Sequence, residues 1–346
     1  MSGQSFSFDT PDPYRFYRMT DWIEDPSTLT GVSLFTSPIG SGAPDRMLPL
    51  ENLGQGAIWE SRLGHISQVR SIIHGCEAVG IRYNLNPATR EEIYPIAYCL
   101  NDNFNTILLE QLLSLKTERL ITTVVAGPIL TQNNIVRYGP LLDGLFVFSD
   151  LFNRADAKAI VLPAAPDFTF YQRQTPREAT QEVLVYYKPE RAPDDLPGIK
   201  EQVLATLERL QIPCATLRYG TYSHHTFRDL LERSAAMITL SGWETQGIAW
   251  AESWAMDVPT LMLDLYPDNQ HPPEGPISAA PYLNAQCGRA WKTLQELERL
   301  LFQLRNQTLA VSPAAWVRDQ LSYRRLGMTF GNALLALVYG EAEAAG

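Results

Sequence analysis

The 346 residues suffice for two domains at the usual ~100–200 residues each, and 45% hydrophobic against 19% charged residues is ordinary for a protein that buries real cores. The net charge of -10 and a pI near 5.1 argue against a generic nucleic-acid binder, which carries a basic stripe to release counterions. No basic-then-apolar leader opens the chain, and no run approaches the ~20 apolar residues of a membrane span. A cytoplasmic protein is therefore expected, with peripheral contact at the inner membrane face left open. Cys76, Cys99, Cys214 and Cys287 are scattered, with no Cys-x-x-Cys pair or metal-ligand spacing, and read as free buried thiols in a reducing compartment.

Residues 1–30, rich in Pro, Asp and aromatics, read as an irregular arm. The apolar run Gly31–Ser37 predicts a first strand, leaving into the loop Pro38-Ile-Gly-Ser-Gly42. Helical patterning follows around His65–Val79 and Asn105–Leu115, with a short strand at Gly80–Asn84. Three further runs, Leu120–Ala126, Gly144–Phe148 and Ala159–Leu162, are rich in β-branched or aromatic residues and lack clean alternation, as strands covered on both faces do. Pro163–Thr180, with three prolines and no sustained period, predicts a linker.

The pattern then restarts. Strands are predicted at Glu182–Tyr187, Cys214–Tyr219, Met237–Leu240 and Thr260–Leu263, alternating with helices at Gly198–Leu210, Thr226–Ser234 and Gln246–Met256. Such alternation specifies a Rossmann-like, doubly wound α/β domain. The chain accordingly divides into a first α/β domain over 31–165, a second over 166–311, and a helical segment over 312–346 that returns to the first.

The chemistry concentrates in Glu244-Thr-Gln-Gly-Ile-Ala-Trp-Ala-Glu252, between a strand ending at Leu240 and a helix opening near Gln246–Gly247. A helix N-terminus presents unpaired amides and partial positive charge to a phosphate, and Gly247 leaves room for close approach. Were the whole interval helical, Glu244 and Glu252 would stand about 12 Å apart along the axis and within ~80° around it. That distance suits two sugars flanking a pyrophosphate. Two glutamates on a helix are more often a solvated face, so the surrounding string decides.

That string, Glu-x-x-Gly-Ile-Ala-x-x-Glu-x-x-Ala-x-x-x-Pro, resembles the Glu-x7-Glu signature of retaining GT-B glycosyltransferases, above all the bacterial group called family 4. The resemblance implies two Rossmann-like domains facing across a cleft. It also implies transfer of a sugar from a nucleotide diphosphate sugar to an acceptor hydroxyl with retention, in surface polysaccharide or glycolipid synthesis. Residue by residue, it implies that Glu244 meets the transferred sugar, that Glu252 holds the ribose, and that Thr245, Gln246 and Gly247 line the sugar and phosphates. Lys188, closing Tyr186-Tyr-Lys188, stands where a cation reaches the diphosphate, with Arg191 as candidate for its usual partner. Val161-Leu-Pro-Ala-Ala-Pro-Asp167 resembles the interdomain crossing, and Ala280-Pro-Tyr-Leu283 fits the end of the second domain. Asp257 replaces the glycine before the final proline, and Asp tolerates the left-handed backbone that turn needs. Trp250 and Trp254 read as packing.

Loops after the strands of a doubly wound domain face the ligand crevice, which brings Tyr222 and His224-His225 to the donor side. On the acceptor side the candidates are Gly40, His65 or His74, and Asn86 in Asn84-Leu-Asn-Pro87, which either lines the cleft or merely ends a strand. No P-loop, His-Glu-x-x-His, Gly-x-Ser-x-Gly or Asp-x-Asp pair occurs. A metal-independent reaction without a cofactor is the expectation, the leaving group's charge being offset by a helix terminus and a cation. The expected partners are a nucleotide sugar donor and a glycan, lipid or small-molecule acceptor. The competing reading is a non-catalytic GT-B module that binds a nucleotide sugar or a protein partner.

Overall fold

The computed structural model describes residues 29–36, 64–85, 87, 90–100, 106–127, 139–149, 159–177, 181–189, 196–242, 244–265 and 279–344. Among them, residues 29–165 and 322–344 form one unit and Pro166–Leu321 another.

The first unit holds β1 (Val32–Thr36), α1 (Gly64–Val79), β2 (Tyr83–Leu85), β3 (Ile96–Leu100), α2 (Thr106–Thr117), β4 (Thr123–Gly127), β5 (Gly144–Val147) and β6 (Ala159–Val161). These strands form one parallel sheet in the order β2-β1-β3-β4-β5-β6. All five residues of β4 are buried, the signature of a strand covered on both faces. One face packs Phe35, Ala97, Cys99 and Val124 with Leu112 of α2. The strand β3 escapes the sequence reading: its five residues follow Pro95 directly, without the glycine or polar cluster that usually announces a strand.

The second unit holds β7 (Glu182–Lys188), α3 (Leu196–Arg209), β8 (Cys214–Arg218), α4 (His224–Glu232), β9 (Ser234–Ser241), α5 (Ile248–Ala255), β10 (Thr260–Leu263), β11 (Gly288–Trp291), α6 (Leu294–Arg305) and α7 (Pro313–Gln320). Its parallel sheet runs β11-β10-β9-β7-β8. All eight residues of β9 are buried. Its Ala236, Ile238 and Leu240 join Val203 and Leu207 of α3 and Leu297 and Leu301 of α6 in one core layer. On Tyr186 of the neighbouring strand β7, Trp250 of α5 and Phe227 of α4 pack at ring-centroid distances of 5.2 and 5.8 Å. Cys214 is exposed on the edge strand β8, unlike the other three free thiols, which are buried as expected.

Residues 312–321, read from sequence with the returning segment, belong to this second unit: Trp316 of α7 stacks edge-on against Trp254 of α5 at 5.6 Å. The segment that returns is α8 (Tyr323–Ala344), packed on α1 of the first unit. The two helix backbones come so close that a Cβ on Gly327 would lie 2.1 Å from the carbonyl oxygen of Gly75. No helix among the described residues is long and apolar enough to cross a membrane.

Candidate functional site at the switch point of the second sheet

Numbered within its own unit, the second sheet has the order 2-1-3-4-5, so successive connections leave β7 in opposite directions, and the carboxyl ends of β7 and β9 mark the switch point at which open α/β sheets take their ligands. The register sets Lys188, the last residue of β7, opposite Ser241, the last of β9. Three residues on, the chain brings the Glu244 carboxylate back to both, with Oε1 2.5 Å from Lys188 Nζ and 3.5 Å from Ser241 Oγ. Tyr219, just past β8, donates its backbone N–H to the carbonyl of Tyr187 at 2.9 Å, and its ring lies 4.3 Å from Lys188 Nζ. The ammonium therefore has a carboxylate and a π-face within reach, two contacts that stabilise a cation withdrawn from water.

The second carboxylate, Glu252, stands in α5 and is 5% exposed. Its Oε1 is 3.8 Å from Nδ1 of His224, the first residue of α4, whose helix is capped by Ser223 accepting from the Thr226 N–H. The same Nδ1 is hydrogen-bonded at 2.6 Å to the hydroxyl of Tyr171. A pair of hydroxyls, Tyr186 and Tyr222, meets at 2.7 Å. Burial above all, then each other and the charges of Glu244 and Glu252, pushes the Tyr186 hydroxyl well above the usual phenol range. Burial also raises that of Tyr222. Both remain protonated at neutral pH and serve as neutral hydrogen-bond groups.

Thus Lys188, Glu244, Glu252 and Tyr222 are brought to one end of one sheet, with Thr245, Gln246 and Gly247 in the turn that joins β9 to α5. Arg191, Gly40 and Asn86 lie outside the described residues. His65 stands in the first turn of α1 in the other unit, with its side chain outside the description. His74 hydrogen-bonds Glu77 on the same helix at 3.0 Å.

Two local expectations are corrected. The helix opens at Ile248, not Gln246, because Gly247 takes the left-handed conformation (φ 77°), which interrupts right-handed winding. Glu244 is consequently in a turn, and the spacing along a continuous helix does not describe the pair. Gly247 is also not vacant space for a ligand: a Cβ there would lie 2.3 Å from the Trp250 ring. Trp250 and Trp254 are packing residues, as their bulk suggested, each 1% exposed, with indole N–H groups donating to Ala279 O and Thr260 Oγ1. Asp257 does adopt the left-handed backbone (φ 55°).

Tyr171 and Tyr186 were not singled out as site residues from sequence. Tyr171 sits in the stretch read as a linker, and residues 166–177 of that stretch belong to the second unit. The Arg173 guanidinium donates to the carbonyls of Leu231, Ser234 and Met256 at 3.2, 2.9 and 3.3 Å, and Glu232 accepts the backbone N–H groups of Gln174 and Thr175.

Fold and site together define a protein of two parallel-sheet α/β units with two buried carboxylates and a buried ammonium at a topological switch point. No protein-family model and no curated protein matches the sequence. Among solved structures the chain is similar to sucrose-phosphate synthase from Thermosynechococcus elongatus, at 10% identity over 91% of this chain and 100% of that one, with a TM-score of 0.49. It is also similar to TarM (11% identity, 70% of this chain, TM-score 0.41), spanning 54% of that protein. A mutant of TarM from S. aureus in complex with Fondaparinux, alpha-GlcNAc-glycerol and UDP gives 12% identity over 68% of this chain and 54% of that one, with a TM-score of 0.40.

Proposed function

We propose that this chain is a glycosyltransferase that moves a sugar from a nucleotide diphosphate sugar to an acceptor hydroxyl, with retention of anomeric configuration and without a metal. One observation carries the reading. Glu244 and Glu252, the two glutamates of the signature string, are both 5% exposed at the carboxyl end of a doubly wound sheet, with Lys188 against the first. Solvated helix-face glutamates would not be buried, because withdrawing a carboxylate from water costs several kcal/mol unless something uses or compensates it.

In this reading the nucleotide lies beyond β7 and β9. Glu252 accepts hydrogen bonds from ribose hydroxyls and Glu244 faces the sugar, where positive charge develops at the anomeric carbon. The bond from that carbon to the diphosphate oxygen breaks while the acceptor oxygen bonds to it on the same face. The acceptor proton passes to the departing diphosphate. Lys188 and the N-terminus of α5 offset the charge that gathers on the leaving group. The acceptor is a glycan, a lipid or a small molecule.

Calorimetric titration with UDP, GDP and ADP, each with and without a chelator, is the test. Binding of one of them that survives chelation is expected, and failure of all three to bind overturns the reading. Donor-dependent nucleotide release that rises with acceptor separates a transferase from a module that only binds.

A further inference from the structure

We propose that His224 and Tyr171 are positioning residues for Glu252, and that together they set the preference of the nucleotide site for ribose over deoxyribose. The inference rests on the donor reading above and adds to it two residues outside the signature string.

The geometry is a chain of three side chains from three separate segments. Tyr171 belongs to the stretch before β7, His224 begins α4, and Glu252 lies in α5. The Tyr171 hydroxyl is 2.6 Å from Nδ1 of His224, and that nitrogen is 3.8 Å from Oε1 of Glu252. The first two members are held by their surroundings. Tyr171 is 2% exposed and packs edge-on against Phe170 and Phe227 at 5.0 and 6.3 Å, and the chain beyond it is pinned by Arg173. His224 is fixed by the capped start of α4 and by edge contacts from Tyr171 and Phe170 at 6.2 and 6.4 Å. The hydrogen bond from Tyr171 keeps Nδ1 on the side of the ring that faces the carboxylate.

A buried carboxylate that must accept two vicinal hydroxyls works only if its plane is fixed, because hydrogen bonds weaken steeply away from linearity. Groups behind a ligand-binding side chain that orient it commonly alter affinity by ten- to a hundred-fold in metal sites, and the same logic applies to a carboxylate. With Tyr171 on Nδ1, the ring is held in one orientation beside Glu252. A carboxylate that loses this neighbour is less firmly oriented, and the first interaction to suffer is the one with the 2′-hydroxyl and 3′-hydroxyl pair. The diphosphate, at the Lys188 end, is untouched.

The experiment compares UDP, GDP and ADP with their 2′-deoxy counterparts on the full chain, as wild type, Tyr171→Phe and His224→Gln. Tyr171→Phe keeps the ring packing and removes only the hydroxyl, so it guards against misfolding, which thermal melting checks for both variants. The wild type is expected to prefer its best ribonucleotide by about ten-fold. That ratio should fall at least three-fold in Tyr171→Phe and further in His224→Gln, with the deoxynucleotide, which keeps only the 3′-hydroxyl, weakened by less than the ribonucleotide. A purely structural role would weaken both nucleotides in parallel, and that result, or an unchanged ratio, overturns the positioning role while leaving the donor reading standing. A wild type that binds without ribose preference also overturns it. A wild type that binds neither nucleotide overturns the donor reading, and this inference with it.

Discussion

The Lys188 ammonium lies 2.5 Å from the Glu244 carboxylate, with side chains only 8% and 7% exposed. A pair so withdrawn is stabilised most while both partners are present: removing one leaves the other buried without its opposite charge, at about 3–5 kcal/mol. Lys188→Met is expected to destabilise the protein by about that much, and Lys188→Met with Glu244→Gln to recover at least half of the loss. Urea unfolding of Lys188→Met, Glu244→Gln and the double variant measures this, and additive losses would show that the two groups are not coupled.

Glu244→Gln separates binding from turnover. Its carboxylate faces the sugar in the proposed function, where the interaction strengthens in the transition state. Turnover should therefore fall by two orders of magnitude or more, roughly 3 kcal/mol, with nucleotide affinity nearly intact. Single-turnover kinetics beside nucleotide titration checks it. A parallel loss of affinity would place Glu244 on the nucleotide instead.

Glu252→Gln has the opposite signature. Donor and free nucleotide share the ribose, and one charge-assisted hydrogen bond contributes about 1.5–3 kcal/mol. Both ligands should weaken roughly ten-fold or more, at about 1.4 kcal/mol per decade. Negligible effects of both glutamate substitutions would reduce the string to a structural feature.

Arg173→Ala tests how firmly residues 167–175 belong to the second unit. Its guanidinium reaches three backbone carbonyls, Leu231, Ser234 and Met256, and truncation deprives each of a partner. With about 1–3 kcal/mol for a buried polar group left unmade, a loss of at least 2 kcal/mol is expected in chemical denaturation. A change under 0.5 kcal/mol would mean that water substitutes freely.

The sequence disclosed what repeats and concealed what does not. Fully buried strands such as Thr123–Gly127 and Ser234–Ser241 are built around apolar runs, Val124–Ala126 and Ala235–Ile238, with few rivals for their pattern, and the strand–helix alternation after residue 181 follows from them. The strand Gly288–Trp291 is missed because it opens on a glycine and an arginine. The glycine is required there, since a Cβ would sit 1.9 Å from Thr260 O in the adjacent strand. The helix Leu294–Arg305 did carry a signal, the Thr293–Glu296 capping box, ahead of its apolar stripe. The segment 163–180 looked unstructured because side-chain-to-backbone bonds such as those of Arg173 and Glu232 leave no period behind. The glutamates were legible as residue types, but their burial was not: it depends on which strand ends the topology places side by side.

Gly327→Ala bears on the first unit alone. The added Cβ would meet the Gly75 carbonyl oxygen at 2.1 Å, backbone against backbone, so α1 and α8 must separate. Overpacking of this kind costs about 1–3 kcal/mol or more. The variant should melt earlier while the nucleotide affinity proposed for the second unit is unchanged.

That same contact orders events during synthesis. The helix Tyr323–Ala344 that covers α1 is made after the whole of Pro166–Leu321. At about 5–20 residues per second, the first unit waits on the order of ten seconds or more on the ribosome with the α1 face bare. The second unit, contiguous over its described residues, has all of its strands and helices before the first unit has its last helix. The usual N-to-C order of domain completion is thereby inverted, and the exposed α1 face is where a chaperone would find this nascent chain.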